Sequence, residues 1–98
     1  MFVHNVIFYL KEDLSPEQRQ KFFAAVDTLK TIQPHVKIAT GAPADTDRPV
    51  IVKDYDYGLT CIFENIQDHD KYQEDPVHLK FLEHHKNDWA KVVIYDFD

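Results

Sequence analysis

The feature that most constrains the fold is a set of strand-like segments that carry apolar side chains on both faces. These segments span residues 2–10, 55–64 and 91–98, where β-branched and aromatic residues are frequent. An antiparallel sheet in a monomer usually leaves one face to water, and its strands then alternate apolar with polar residues. The three segments do not alternate in this way. We therefore expect both faces of the resulting sheet to be covered.

Helices are predicted from their N-terminal signals and from apolar spacing. Ser15 precedes Pro16 and Gln18, a sequence typical of an N-cap with a capping box. Apolar residues then recur with a helical period, up to a stop at Gln33-Pro34: Phe22, Phe23, Val26, Leu29 and Ile32. Asn65 can cap a short helical turn that runs toward Tyr72, and Asp75-Pro76 begins the second main helix.

The remaining segments complete a recognisable order of elements. Residues 35–41 read as a second strand, and residues 42–54 read as one long loop. The order is therefore βαββαβ. We predict an α+β, ferredoxin-like fold in a single domain over residues 1–98, with a four-stranded antiparallel sheet that carries both helices on one face.

The sheet face away from the helices, which we call the open face, is predicted to be apolar. If Val6 and Phe8 face the helices, seven large side chains lie on the open face: Val3, Ile7, Tyr9, Ile62, Val93, Tyr95 and Phe97. Leaving them in water would forgo roughly 1.5–3 kcal/mol each, and the patch would exceed those of soluble monomers. We therefore predict a twofold homodimer with the two sheets packed face to face in a barrel-like core.

Composition and charge argue against several partners and locations. The net charge of −6 and the lack of clustered Lys and Arg argue against nucleic-acid binding. No apolar run approaches the roughly 20 residues needed to cross a bilayer, and residues 1–10 lack the features of a secretory signal. Cys61 has no second cysteine to pair with, which fits a reducing compartment. We expect a cytoplasmic protein.

His78 is the residue whose position most suggests chemistry. It shares one predicted helical stripe with Leu82, His85 and Trp89, so its ring is expected to point inward. Burial and the positive end of the helix dipole would both lower the pKa of this imidazole and favour its neutral form. A neutral, buried histidine can act as a base, or it can be one member of a hydrogen-bonded core network without any catalytic role.

Three stretches and one spacing pattern point to a family. The stretches are "FVHNVIFYLKEDLSPEQRQKFF", "YDYGLTCIFENIQDHDKYQEDPVHLKF" and "WAKVVIYDFD", and the pattern joins Tyr72, Pro76 and His78 to the early His4. In these features the chain resembles the stress-responsive A/B barrel domain (Dabb) family of dimeric α/β-barrel proteins. The family usually has His where Asp75 stands, a capping position that Asp fills well. The resemblance implies the same ferredoxin-like fold and homodimeric barrel.

The resemblance also implies a possible site. Many members of the family have no established activity, but a plant member is a polyketide cyclase that performs an aldol condensation between sheet and helices. Its catalytic pair corresponds to His78 and Tyr72, and its pocket also holds residues that correspond to His4 and Asp96. In this chain Asp96 could hold the His78 ring in one tautomer, while Tyr72 donates a hydrogen bond to the enolate formed by proton removal.

We expect an apolar ligand pocket, and three functions are open. The expected lining residues are His4, Phe22, Phe23, Tyr57, Leu59, Trp89, Val92 and Ile94. The protein either binds a small hydrophobic ligand without turning it over or acts as a cyclase-like, lyase-like or isomerase-like enzyme through His78, Tyr72 and Asp96. A cofactor-free monooxygenase or haem-degrading protein, known from the wider barrel superfamily, is the third alternative.

No cofactor or metal is expected from the histidine spacing. His84 and His85 point in different directions on a helix, and His78 and His85 are about 10 Å apart along it. His69 lies among carboxylates, but at no recognised ligand spacing.

Overall fold

The computed structural model describes residues 1–98 and contains one four-stranded sheet. The elements in chain order are β1 (Phe2–Leu10), α1 (Pro16–Thr28), a 3-10 turn (Leu29–Thr31), β2 (Lys37–Gly41), β3 (Tyr57–Phe63), α2 (Ile66–Glu74), α3 (Pro76–His85) and β4 (Trp89–Phe97). The sheet order is β2-β3-β1-β4, and every neighbouring pair is antiparallel. The predicted ferredoxin-like α+β fold is therefore confirmed.

All three α-helices begin at the caps that the sequence indicates. The Ser15 hydroxyl accepts a hydrogen bond from the Gln18 N–H, and the Gln18 side chain accepts one from the Ser15 N–H, which completes the capping box. Asn65 accepts from the Asp68 N–H at the start of α2, and Asp75 accepts from the Val77 N–H at the start of α3. Side-chain acceptors thus satisfy N–H groups that have no partner within the helix.

The helices differ from the predictions in three places, and the bounds of β2, β3 and β4 differ by one or two residues. The first helix ends at Thr28 and continues only as a 3-10 turn, and α2 is a nine-residue helix rather than a short turn. Trp89, predicted on the helical stripe of His78, is instead the first residue of β4. The helix stops earlier because a tight turn follows it, in which the Asp88 N–H donates to the His85 carbonyl.

The core lies between the sheet and the three helices. Every second residue of β1 and β3 is buried, as the period of a strand requires. Phe22 and Val26 of α1 are 0% exposed, and the Phe22 ring packs edge-on against the Phe8 ring at 5.1 Å. The longest helix, α1, has 13 residues, and no helix in the structure could span a bilayer.

No helix covers the open face of the sheet. The strand register places Val3 opposite both Ile62 and Phe97, and Ile7 opposite Val93, so the residues predicted for this face do share it. Tyr95 and Phe97 are 64% and 61% exposed. The chain therefore leaves apolar surface on one side of its sheet.

Candidate ligand pocket

A cavity of about 180 Å³ lies between the sheet and the pair α2 and α3. Its walls are mostly apolar and come from both layers: His4, Val6, Phe8, Leu29, Leu59, Tyr72, Gln73, His78, Phe81, Leu82, Trp89, Val92 and Ile94. A dry cavity of about 150 Å³ is large enough to bind benzene. Ile94 lies on the wall and is 50% exposed, so the cavity opens along the edge strand β4.

His78 is held in one tautomer by the backbone of α2. The Asp75 cap and Pro76 start α3 so that His78 falls in its first turn and is buried. Its Nδ1 lies 3.1 Å from the Gln73 carbonyl oxygen. Because a carbonyl oxygen only accepts, Nδ1 carries the proton and Nε2 keeps its lone pair. Nε2 makes no hydrogen bond within the chain.

The surroundings of His78 keep its ring neutral. Burial lowers the pKa of His78 below 6.5, and the neighbouring imidazoles of His4 and His69 lower it further. The Gln73 carbonyl and the Asp75 carboxylate act in the opposite direction but do not outweigh burial. The imidazole is therefore unprotonated at Nε2 at neutral pH, which is the form that can accept a proton.

Tyr72 packs against His78 and carries an unsatisfied hydroxyl. The two ring centroids are 4.9 Å apart, and Tyr72 is only 1% exposed. Its hydroxyl is buried and makes no well-formed hydrogen bond; the Cys61 thiol, a weak donor and acceptor, lies beside it. Burial raises the pKa of Tyr72, and the nearby Cys61 raises it further, so the group stays protonated and is a potential donor. An unsatisfied buried hydroxyl costs about 1–3 kcal/mol, and such a group calls for an explanation.

Asp96 is paired with His4 and not with His78. Its Oδ1 lies 2.6 Å from the Nδ1 of His4, which is the residue directly opposite it in the register of β1 and β4. The contact predicted between Asp96 and His78 is therefore not formed, because β4 presents Asp96 to the neighbouring strand. Burial lowers the pKa of His4 despite the carboxylate beside it. The catalytic roles of His78, Tyr72 and Asp96 stay predictions.

The structure separates the predicted pocket residues into two groups. Five of them line the cavity: His4, Leu59, Trp89, Val92 and Ile94. Phe22, Phe23 and Tyr57 lie outside its wall. Phe22 fills the core, while the Phe23 ring stacks on the Tyr57 ring at 4.6 Å. The Tyr57 hydroxyl donates to Asp27 at 2.7 Å, which ties β3 to α1 away from the cavity.

Several site residues were missed from the sequence. Phe81 follows His78 by three positions, a helical spacing that could have placed it on the same wall. Gln73 contributes through its backbone carbonyl, for which no side-chain signal exists. His69 of α2 lies against His4, with ring centroids 4.9 Å apart, and only the tertiary fold brings these two residues together.

Comparisons with solved structures agree with this fold. A Dabb family protein with a ferredoxin-like fold from Mesorhizobium loti has a TM-score of 0.79 at 21% identity, and the match covers 99% of this chain and 94% of that chain. A dimeric ferredoxin-like protein of unknown function from Thermobifida fusca has a TM-score of 0.78 at 22% identity, covering 98% and 88%. A hydroxynitrile lyase from Passiflora edulis has a TM-score of 0.77 at 20% identity, covering 98% and 90%.

At these identities the structural likeness shows the fold alone. No curated protein matches the chain. The sequence profile of the stress responsive A/B barrel domain, Dabb, matches residues 2–98, which is nearly the whole sequence. The chain therefore belongs to the stress responsive A/B barrel domain family.

Proposed function

We propose that the cavity binds a small, largely apolar molecule that carries a carbonyl or hydroxyl oxygen. The single observation that carries this proposal is the buried Tyr72 hydroxyl, which has only the weakly hydrogen-bonding Cys61 thiol beside it although its residue lines the cavity. A ligand oxygen would supply a stronger partner, while the aliphatic and aromatic walls would hold the apolar body. The volume of about 180 Å³ suits a molecule of about one ring.

A matched pair of ligands tests the binding proposal. Acetophenone and ethylbenzene have similar shapes, but only acetophenone has an oxygen that can accept from Tyr72. We expect the protein to bind acetophenone about fivefold more tightly, as a net hydrogen bond of about 1 kcal/mol requires. Tyr72→Phe should remove this preference, and Tyr55→Phe, which changes a tyrosine outside the cavity wall, should keep it. Titration calorimetry measures both affinities; an equal preference in all three proteins contradicts the proposal.

A second candidate function is proton transfer by His78, acting as a general base. The fixed tautomer favours it, because the Gln73 carbonyl holds Nδ1–H and leaves the Nε2 lone pair without a partner. Nε2 would take a proton from the carbon next to a carbonyl, and the electron pair of the broken C–H bond would move to the oxygen as an enolate. Tyr72 would donate to that oxygen. The Passiflora edulis neighbour is a lyase, and its chain has the same fold.

Hydrogen exchange separates catalysis from simple binding. With acetophenone in D2O, a base at His78 would replace the methyl protons by deuterium, and NMR would follow their loss. His78→Gln should abolish exchange above the buffer rate, while His84→Gln at an exposed position should not. Because the pKa of His78 is lowered, the rate should hold from pH 8 to pH 7 and decline only below about 6.5. Binding without exchange in the parent protein would leave the first proposal standing and remove the second.

We infer that two copies of the chain pair through the open face. Several solved neighbours are described as dimeric, including the protein from Thermobifida fusca. The exposed Tyr95 and Phe97, with the half-buried Ile7, Ile62 and Val93 beside them, form a surface that a second identical surface can cover. The cavity lies on the helix side of the sheet. Pairing through the open face therefore does not block the opening of the cavity along β4.

A further inference from the structure

Three side chains from three different elements meet beside the cavity. His4 of β1, His69 of α2 and Asp96 of β4 each offer one ligand atom, and these atoms lie within 4.8 Å of one another. His4 is buried, His69 is partly buried and Asp96 is exposed, so the cluster reaches from the core to solvent. A metal ion could therefore enter from the side of Asp96 and contact an anchored histidine.

The donor set has a definite chemical preference. Two imidazole nitrogens and one carboxylate oxygen suit Zn²⁺ and related first-row divalent ions, whereas Mg²⁺ and Ca²⁺ prefer oxygen ligands alone. Three protein ligands leave the fourth position of a tetrahedral ion open to water or to another small ligand. Because His4 also lines the cavity, an ion bound to it would lie close to the proposed ligand.

The contacts around the cluster resemble the outer shell of a metal site. Asp70 Oδ1 lies 3.2 Å from the Nδ1 of His69, so a proton on Nδ1 leaves the Nε2 lone pair available to a cation. That Nε2 now faces the Gln73 side-chain nitrogen at 3.2 Å, and this amide would turn away when the ion binds. A proton now links the Nδ1 of His4 to Asp96 across 2.6 Å, and a cation there would take the place of this proton.

Only small movements are needed to close the site. Ligand atoms about 2.0–2.1 Å from a tetrahedral Zn²⁺ are roughly 3.3 Å apart, so the widest separation must shrink by about 1.5 Å. The Asp96 side chain is 40% exposed and sits on an edge strand, so it has room to move once a cation replaces its hydrogen bond with His4. His4 is held in the core and provides the fixed point.

We propose that His4, His69 and Asp96 form a Zn²⁺-binding site beside the cavity, which it adjoins through His4. The site stands on the meeting of these side chains, and it does not depend on which ligand the cavity takes or on whether His78 is a base. Its occupation can therefore be measured without any substrate.

Calorimetric titration of tag-free protein with Zn²⁺ tests the site. We expect one ion per chain, and we expect Co²⁺ to bind there with the visible absorption of a tetrahedral complex, while Mg²⁺ does not compete. His69→Gln and Asp96→Asn should each weaken Zn²⁺ binding at least about tenfold, since each removes or weakens one of three ligands. His84→Gln, at an exposed histidine outside the cluster, should bind as the parent does.

Two further measurements keep the result unambiguous. Circular dichroism checks that each variant is folded, which is expected because Asp96 lies at the surface and His69 is only partly buried. Tyr72→Phe should retain Zn²⁺ binding, so failure of the cavity proposal and failure of the metal proposal are distinguishable. The proposal is overturned if the parent binds no Zn²⁺ at micromolar concentration, or if the His69 and Asp96 variants bind it as tightly as the His84 variant.

Discussion

The two faces of the sheet are built by the same strands but are completed in different ways. On the helix side, the alternate residues of β1 from Phe2 to Leu10 are between 2% and 8% exposed, because α1, α2 and α3 cover them. On the open face, Tyr95 and Phe97 are more than half exposed. Helices of the same chain therefore bury one face of the sheet, whereas no element of the chain covers the apolar side chains of the other face.

This difference shows that the apolar content of a sheet face does not by itself decide whether the chain buries that face. The strands place apolar side chains on both faces of the sheet. The helices pack on only one face, and that face is the one that the chain itself buries. The difference also separates two proposed activities in space, since the cavity belongs to the helix side and the proposed self-association belongs to the open face. The following changes test that separation.

The largest effect is expected from Phe22→Ala on the helix side. Phe22 is 0% exposed and packs against the rings of Phe8 and Phe81, so truncation should lower the free energy of unfolding by about 3–5 kcal/mol. Urea denaturation at several protein concentrations measures the free energy of unfolding. The decrease caused by Phe22→Ala should be the same at each concentration. Phe97→Ala on the open face should instead give a loss that depends on protein concentration. If both variants lose the same free energy of unfolding at every protein concentration, the proposed difference between the two sheet faces is wrong.

The next effect is expected on the open face, from Tyr95→Glu. Placing a carboxylate where two sheets meet should weaken dimerisation by at least about 2 kcal/mol, because a buried unpaired charge is unfavourable and large aromatic residues dominate interfaces. Light scattering after size-exclusion chromatography should show the shift from dimer to monomer. Tyr95→Phe keeps the ring and should stay dimeric. If the Tyr95→Glu variant keeps the molar mass of a dimer, the open face is not the dimer interface.

A smaller effect is expected from Tyr57→Phe, which tests a polar connection on the helix side. Asp27 of α1 accepts hydrogen bonds from Thr40 of β2 and Tyr57 of β3, each at 2.7 Å. Loss of one bond to a charged acceptor should cost about 1–2 kcal/mol of unfolding free energy. Tyr55→Phe is the control, since its hydroxyl makes no hydrogen bond within the chain. If the two variants are equally stable, Asp27 does not hold the helix to the sheet.

The smallest effect is expected from Ser15→Ala at the start of α1. Removal of the capping hydroxyl leaves the Gln18 N–H without its acceptor, at a cost of about 1 kcal/mol. Ser15→Asp should retain most of the stability, because Asp caps equally well. Thermal unfolding of the three proteins measures the difference. A larger loss for Asp than for Ala would mean that the position matters for a reason other than capping.

Local signals predicted most of the fold. The bounds of β1 and the three helix starts follow from residue types that act on their nearest neighbours, such as the Ser15 and Asp75 caps. The inward position of His78 also follows from helical spacing. The true end of α3 was not predictable in this way, because Trp89 continues the apolar period while the backbone has already turned.

The site was predicted only in part because its geometry depends on contacts between distant elements. The pairing of His4 with Asp96 follows from the strand register, and the sequence does not fix which residues of two strands face each other. The Gln73 carbonyl that holds His78 is a backbone group, and every residue has one. The approach of His69 to His4 required the path of α2 over the sheet.

Strand β4 serves both sides of the molecule through its alternating side chains. Val92 and Ile94 point to the cavity, while Val93 and Tyr95 point to the open face. If two copies pair through the open face as proposed, any shift of this strand that accompanies ligand binding in the cavity also changes the contact with the partner copy. The two equilibria are then thermodynamically linked, so that guest affinity would vary with protein concentration, and the guest would in turn strengthen or weaken association by the same factor.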